Sequence, residues 1–201
     1  MRLEKIRNNF FLRFLAAAGF FLLIWKPFSI AYMHIIVFFS DALSGIFYPY
    51  MDIMIIDGIT KFQYSNITAQ QLQFSVNDID QIFLNIIVLL SLIFSSYRID
   101  LKSRVKHAAI GIAILAAIHL FIINMYAYTT IWDYVLNQPA ELSSELMTRT
   151  DTYFSKGMTD IYRKLLFNWN SWGWDVVPLL LWIPAGLIQF LPLAGTLKGK
   201  K

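Results

Sequence analysis

The sequence predicts an α-helical polytopic membrane protein with about four transmembrane helices, a small extracytoplasmic β-meander and a long outer amphipathic helix. The composition is the first reason for this. The 201-residue chain has a mean hydropathy of +0.54 and only 15% charged residues, whereas soluble domains carry about 25%. With so few charged residues the chain cannot cover a soluble surface. The spacing of its apolar runs and the positions of its basic residues are the other two reasons.

Four apolar runs approach the length of about 20 residues that a helix needs to cross a bilayer. They cover residues 10–25, 82–96, 108–128 and 174–194. The first follows a basic flank, as in a signal peptide. No small-residue cleavage site follows it, and apolar residues continue past Lys26-Pro27. We therefore expect it to be retained, with residues 1–40 forming the first transmembrane helix and a kinked outer continuation.

The basic residues orient these spans. Segments 1–13, 98–107 and 195–201 together hold 11 of the 17 basic residues but only two of the 13 acidic ones. Short loops rich in Lys and Arg remain cytoplasmic. We therefore expect an inner-membrane protein with both termini in the cytoplasm. Residues 81–128 then form a transmembrane hairpin around the basic loop 97–107, and residues 173–201 form the fourth span and a basic tail.

The segment predicted to lie outside between the first two spans, residues 41–80, carries strand signals. The runs MDIMII and ITKFQYS flank Asp57-Gly58, and this dipeptide favours a tight β-hairpin turn. In QLQFSVN, apolar and polar residues then alternate, which is typical of a half-buried strand. Together these patterns predict a three-stranded meander. So small a sheet is marginally stable alone and must rest on another element or a partner.

The second outer segment, residues 129–172, predicts a long amphipathic helix, with Pro139 in its first turn. It leads into NWNSWGW. We expect Trp169, Trp172 and Trp174 to be anchors at the membrane interface, where the amphipathic indole ring is favoured. A carbohydrate-binding platform is the sharper alternative for these rings. Lys26 is the predicted anchor at the outer end of the first span, because its long side chain can reach the headgroups.

Polar side chains inside the spans are the weak candidates for a functional site, and they are His119, Asn124 and Asn85. His119 could relay a proton or contact a cofactor, but a hydrogen bond between helices is the commoner role. The chain has no cysteine and three widely separated histidines, so we expect no metal site and no catalytic residue. No resident cofactor is predicted, and a bound lipid is compatible with the sequence.

The order of the parts resembles a known family. FFLRFLAAAGFFLLIWKP, QLQFSVND, FLNIIVLLSLI and VPLLLWIPAGL follow one another, with a basic turn, a histidine-bearing span and an outer helix between the last two. This arrangement is similar to the exosortase H-associated small membrane proteins and to a degenerate exosortase-like fold. The resemblance implies an accessory role beside an envelope protein-sorting or processing enzyme. Exosortases use a Cys, Arg and His set, and without a cysteine that activity does not carry over.

Three functions stay open on the sequence alone. The first and favoured one is a non-catalytic accessory or structural subunit of an inner-membrane complex. The second is a small lipid- or quinone-binding enzyme or carrier that uses His119. The third is a self-assembling membrane scaffold. The predicted partners are accordingly other membrane proteins, copies of the same chain and lipids, with no nucleic acid, because the position of the basic residues is explained by topology.

Overall fold

The computed structural model describes residues 2–47, 51–56, 59–64, 72–75, 84–96, 99–137 and 155–190. The fold is mostly helical, with one small sheet. Its elements in chain order are α1 (Arg2–Phe47), β1 (Met51–Ile56), β2 (Ile59–Tyr64), β3 (Leu72–Ser75), α2 (Leu84–Ser95), α3 (Leu101–Leu136), α4 (Lys156–Asn168), a π-helical segment (Trp169–Gly173) and α5 (Trp174–Phe190).

Within the described residues, two helices are long and apolar enough to cross a membrane. They are Asn9–Ile46, within α1, and Leu101–Leu136, which is the whole of α3. Two further apolar helical stretches, Leu84–Ser95 and Asp175–Pro184, are shorter. A membrane location is therefore compatible with the structure, as the composition predicts. The four crossings remain a prediction.

The first helix is longer than expected. The sequence predicts that this part ends at residue 40, whereas α1 continues to Phe47 with Pro27 inside it. Proline removes one intrahelical hydrogen bond, but the chain is helical on both sides of Pro27. The predicted kink at this proline stays a prediction. The boundary to the strands shifts because α1 continues through Asp41 and Ser44, whose side chains contact the sheet.

The strands form an antiparallel sheet in the order β1-β2-β3, which confirms the predicted meander. The register pairs Ile56 with Ile59, so two residues connect β1 to β2, as expected for a hairpin. The Asp57-Gly58 turn itself lies outside the described residues. Ile53 pairs with Phe62, and both side chains are buried. The alternation of the strand residues thus places one face of this sheet in a core.

The outer edge of β1 is covered by side chains of α1. The Asp41 carboxylate accepts a hydrogen bond from the Ile53 N–H at 2.7 Å. The Ser44 hydroxyl donates to the Met51 carbonyl at 3.0 Å. Both backbone groups point away from β2, where an edge strand would otherwise leave them unpaired. The last turns of α1 therefore hold the sheet in place.

The single long helix predicted over residues 129–172 is wrong. Residues 129–136 belong to α3, and a separate helix, α4, begins at Lys156. Ser155 has extended backbone angles (φ −134°, ψ 147°), and its hydroxyl accepts a hydrogen bond from the Met158 N–H. Such an N-cap satisfies a backbone donor at a helix start. The expected start near Pro139 lies outside the described residues.

The chain divides into two compact units, and both α1 and α3 contribute to each. The first unit contains α1 up to Lys26, α2, α3 up to Leu115, and α5. The second unit contains α1 from Pro27, the three strands, α3 from Ala116, α4 and the π-helical segment.

In the first unit, α2 packs against α3 and α5. The Trp182 indole N–H donates to the Ser96 hydroxyl at 3.0 Å, and this hydroxyl in turn donates to the Leu92 carbonyl. Gly111 lies on α3, and the absence of a side chain there allows α2 to approach closely, because a Cβ at this position would lie 2.7 Å from Leu89 Cδ2. Small residues at helix crossings are typical of helices that associate within membranes.

Aromatic side chains join α1 to this group. Phe21 meets Phe94 of α2 edge to face, with the ring centroids 5.5 Å apart. Phe10 contacts Trp182 of α5 at 5.9 Å. Both separations lie in the range of favourable aromatic pairs. The four helices of the first unit are therefore connected by defined side-chain contacts.

Arg104 closes the connection between α2 and α3. Its Nε donates to the Ile99 carbonyl at 2.8 Å, and its Nη1 donates to the Phe94 carbonyl at 3.1 Å. The last carbonyls of a helix have no intrahelical donor, and a cation near a helix C-terminus is favoured by the dipole. One of the basic residues on which the predicted orientation rests thus also completes the end of α2.

Replacing Arg104 separates these two roles. Arg104→Lys keeps the positive charge but cannot reproduce both guanidinium hydrogen bonds. We expect it to lower the free energy of unfolding in detergent by about 1–2 kcal/mol while the membrane orientation is unchanged. Lys106→Ala, at an exposed position in the same segment, serves as the control and should have little effect. Equal losses in both variants would contradict a specific role for Arg104.

Asp100 begins α3. Its carboxylate accepts hydrogen bonds from the Ser103 N–H at 2.9 Å and from the Ser103 hydroxyl at 2.7 Å. The Ser103 backbone hydrogen bond, followed by that of its hydroxyl, lowers the pKa of this carboxyl below its ordinary value of 3.8. The ionised side chain is thus the form that stabilises the start of α3.

This cap predicts a pH dependence. Because the pKa is lower in the folded state, the stabilisation is present above the ordinary pKa and is lost as the pH falls through the folded value. We expect wild type to exceed Asp100→Asn in thermal stability near pH 6, and the difference to shrink toward about pH 3. Unfolding in detergent across this range measures it. A difference that is independent of pH would argue against the carboxylate.

Candidate functional site

The candidate site centres on His119, which lies on α3 and is fully buried in the second unit. Its Nδ1 atom shares a hydrogen bond of 2.8 Å with the hydroxyl of Tyr32 on α1. The Tyr32 ring stands edge-on to the imidazole at 5.8 Å and stacks on Phe28 at 5.9 Å. A buried hydrogen bond between two helices therefore holds this side chain, as the sequence favours over a reactive role.

A third element completes the site. The Trp169 ring meets the His119 imidazole edge to face at 6.2 Å, and this tryptophan is buried. It begins the π-helical segment, in which Gly173 lies against the ring: a Cβ on Gly173 would be 2.5 Å from Trp169 Cε3. π-Helical turns are rare and frequently occur at functional sites. Here the wider turn and the glycine together leave room for the indole.

The other two polar candidates, Asn124 and Asn85, have surroundings of their own. The Asn124 amide donates to the Leu120 carbonyl of its own helix at 2.9 Å. Asn85 lies on α2, in the first unit, and neither of its buried amide atoms has a hydrogen-bond partner among the described residues. A joint site of the three residues stays a prediction. The side chains that contact His119 are those of Tyr32 and Trp169.

Of the four predicted interface anchors, the structure describes the side chains of Trp169 and Lys26. Trp169 is buried beside His119 rather than exposed as an anchor. Trp172 lies in the π-helical segment and Trp174 at the first position of α5, but their side chains are outside the described part of the structure. Lys26 is exposed on α1, which is compatible with an anchor. The interface role of Lys26, Trp172 and Trp174 stays a prediction.

Tyrosine side chains of α3 join α4 and the π-helical segment to the site. The Tyr128 hydroxyl accepts a hydrogen bond from the Ser155 N–H at 2.7 Å, just before α4. Its ring meets Tyr162 of α4 edge to face at 5.0 Å. The Tyr126 hydroxyl exchanges two hydrogen bonds with the Asn170 amide, at 2.8 and 3.1 Å. These contacts fix the segment from which Trp169 extends.

An ion pair at the surface adds to this contact between α3 and α4. Arg163 of α4 pairs with Asp133 of α3 and lies 3.8 Å from Asp160 in its own helix. All three side chains are substantially exposed, and exposed pairs contribute at most about 1 kcal/mol. The pair therefore orients α4, while the buried aromatic contacts supply most of the stability.

The side chains of this arrangement can take part in hydrogen bonding and proton exchange. A tyrosine hydroxyl donates to an unprotonated imidazole nitrogen and accepts from a protonated one. Among the described residues there is no group of three or more His, Cys, Asp or Glu side chains that could hold a metal ion. The arrangement fits a polar contact that fixes three elements within an apolar core.

Tyr32 and Gly173 are the participants that the sequence does not indicate. Tyr32 is 87 positions from His119, and a single tyrosine in an apolar run carries no signal of its own. Gly173 lies in the run NWNSWGW, where a glycine between two tryptophans could have suggested a ring packed on backbone. Neither signal is specific without the tertiary structure.

Gly173→Ala tests the packing of this site. The added methyl group must displace the Trp169 ring, and overpacking of a core costs about 1–3 kcal/mol. We expect a loss of this size in unfolding experiments in detergent. Gly157→Ala is a matched control on α4, since a Cβ there meets nothing within 4 Å. It should leave stability unchanged or raise it slightly, and similar losses in both would contradict the packing role.

Comparison with known proteins gives no relative from which a function could be transferred. No protein-family model, curated protein or solved structure matches this chain. The resemblance to exosortase-associated membrane proteins thus stays a prediction, and the function has to be inferred from the chain's own residues.

Proposed function

We propose that this chain is a multi-pass inner-membrane protein that serves as a non-catalytic structural subunit of a membrane complex. The observation that supports this most is the environment of His119. His119 is fully buried and joins α1, α3 and the π-helical segment. A side chain held in this way fixes the arrangement of helices, and a structural subunit requires such a fixed arrangement.

The membrane part of the proposal is supported by α1. No residue in its most apolar 18-residue stretch is buried, and large apolar side chains such as Leu12 and Leu23 are mostly exposed. Exposed apolar surface on this scale needs lipid or a protein partner. The basic segments then place both termini and the α2–α3 connection in the cytoplasm. In this arrangement α1, α2, α3 and α5 are the four spans, and the sheet and α4 are extracytoplasmic.

The order of parts in the sequence suggests an association with an envelope protein-sorting system. In that case the chemistry belongs to the partner proteins, and this chain supplies contacts. The alternative hypothesis, a lipid- or quinone-binding carrier or enzyme, uses the same His119 as a reactive group, so variants of this residue distinguish the two.

Tyr32→Phe and His119→Gln are the informative variants. If the pair is structural, each should lower the free energy of unfolding by about 1–3 kcal/mol, because a buried polar group loses its partner. The double variant should lose less than the sum, since the two residues are coupled. His34→Gln, at an exposed histidine of α1, is the control and should have no effect.

The intact particle provides the second measurement. Extraction from native membranes in mild detergent, followed by mass determination, should give a stoichiometric complex for wild type and His34→Gln, and a dissociated or depleted one for His119→Gln. A stable His119→Gln protein that assembles normally but loses a bound lipid or quinone would instead support the carrier or enzyme. A lone monomer of wild type without a partner or ligand would contradict both.

A further inference from the structure

One row of side chains on α3 changes from charged to apolar along the helix. Lys102, Lys106, Ile110 and Ile114, here called the Lys–Ile row, follow one another at intervals of four residues, so each side chain is the neighbour of the next on one face. All four are exposed, and all belong to the first unit. At 1.5 Å per residue, the row extends over about 18 Å of helix.

Neither lysine of the row is compensated by an acidic side chain in the described part of the chain. The ion pairs found there join Arg163 to Asp133 and to Asp160. The nearest acidic residue along the chain, Asp100, accepts hydrogen bonds from Ser103. The first lysine follows it by two residues, which is just over half a turn, so the carboxylate lies on another face of the helix. Two positive charges therefore stand beside each other at the surface.

The neighbouring Arg104 is engaged elsewhere and leaves the lysines as the cations that can meet an anion. Its guanidinium donates to the Ile99 and Phe94 carbonyls. A lysine ammonium is a compact charge with three donors on a flexible stem, and such a charge suits the oxygens of a phosphate. Because Lys102 and Lys106 are one helical turn apart, both ammonium groups can reach the same phosphate.

The apolar part of the row favours a lipid over a soluble anion. Ile110 and Ile114 are 50% and 42% exposed, and they lie one and two turns beyond the second lysine. Leu101 and Val105, beside the lysines, are more than half exposed. A soluble anion would leave these apolar side chains in water. A phospholipid has the same order of parts as the row, since its phosphate is followed by acyl chains.

We infer that the Lys–Ile row binds one anionic phospholipid of the cytoplasmic leaflet, with the phosphate at Lys102 and Lys106 and an acyl chain along Ile110 and Ile114. In the proposed orientation the lysine end lies at the cytoplasmic surface, where anionic lipids attract basic residues. A zwitterionic headgroup carries a cation of its own, which two lysines repel. The lipid is therefore one of net negative charge. This inference rests on the membrane orientation of the proposed function.

Lipid binding by the purified protein tests the inference. The protein in detergent is titrated with phosphatidylglycerol or with phosphatidylcholine of the same acyl chains, and bound lipids are counted by mass spectrometry of the intact particle. We expect wild type to bind phosphatidylglycerol in preference. Each lysine near an anionic surface contributes about fivefold in affinity, so Lys102→Gln combined with Lys106→Gln should weaken phosphatidylglycerol binding about 30-fold. Binding of phosphatidylcholine should not change.

Lys156→Gln combined with Lys164→Gln is the matched control. It removes the same charge from two exposed positions of α4, but Asp160 lies four residues from each of these lysines. The control should bind phosphatidylglycerol as wild type does. Unfolding in detergent without added lipid should be the same for wild type and both double variants. Equal losses of binding in both double variants would overturn the inference, as would a wild type that does not prefer phosphatidylglycerol.

Two further measurements identify the source of the phosphate. Inorganic phosphate and glycerophosphoglycerol, which is the headgroup without acyl chains, should not displace phosphatidylglycerol at equal concentration. Displacement by either would assign the lysines to a soluble anion and overturn the lipid. Ile110→Ser combined with Ile114→Ser should weaken phosphatidylglycerol binding although both lysines are retained. Unchanged binding by this variant would overturn the placement of the acyl chain.

A labelling experiment distinguishes failure of the lipid site from failure of the proposed function. Leu101→Cys, in a chain without other cysteines, should react with a membrane-impermeant maleimide only from the cytoplasmic side of sealed vesicles. If it does so while the lysine variants bind phosphatidylglycerol as wild type does, the orientation stands and the lipid site is wrong. If it is labelled from the outer side only, or from neither side, the proposed orientation fails, and the assignment to the cytoplasmic leaflet fails with it.

Discussion

The second unit depends on the hydrogen bond between the Tyr32 hydroxyl and His119. Both groups are removed from water, and leaving either one without a partner there costs about 1–3 kcal/mol. Their bond therefore specifies one relative position of α1 and α3 in a region where apolar packing alone would allow several. Trp169 adds the π-helical segment to the same point, with Gly173 giving its ring the space it needs.

Helix ends impose the corresponding constraint on the first unit. α2 and α3 are joined by a short connection, and their terminal backbone groups need partners. Arg104 donates to the Phe94 carbonyl at the end of α2, and Asp100 provides an acceptor at the start of α3. Arg104 is one of the charges from which the sequence predicts a membrane orientation, and it is thus also used locally. This double use explains why an apolar chain concentrates polar residues in so short a segment.

The features that the sequence predicts correctly are those set by local pattern. The helical character of the apolar runs and the hairpin around Asp57-Gly58 follow from composition, periodicity and turn chemistry. The features that it misses depend on tertiary contacts. Tyr32 is an ordinary residue of an apolar run until α3 brings His119 to it. The sequence around Trp169 is typical of an interface anchor. Only the structure, in which its ring packs against Gly173, shows that this side chain is buried. The helix predicted over 129–172 fails because Ser155 caps a new helix.

The pairing of α1 with the edge of β1 has a consequence for aggregation. Asp41 and Ser44 occupy the outward-pointing N–H of Ile53 and carbonyl of Met51, so no further strand can form hydrogen bonds with these groups. A sheet with one blocked edge can pair with another sheet only through its other edge. Edge-to-edge pairing between molecules would therefore stop at a pair of sheets. Growth of a fibril would require α1 to detach from β1 first.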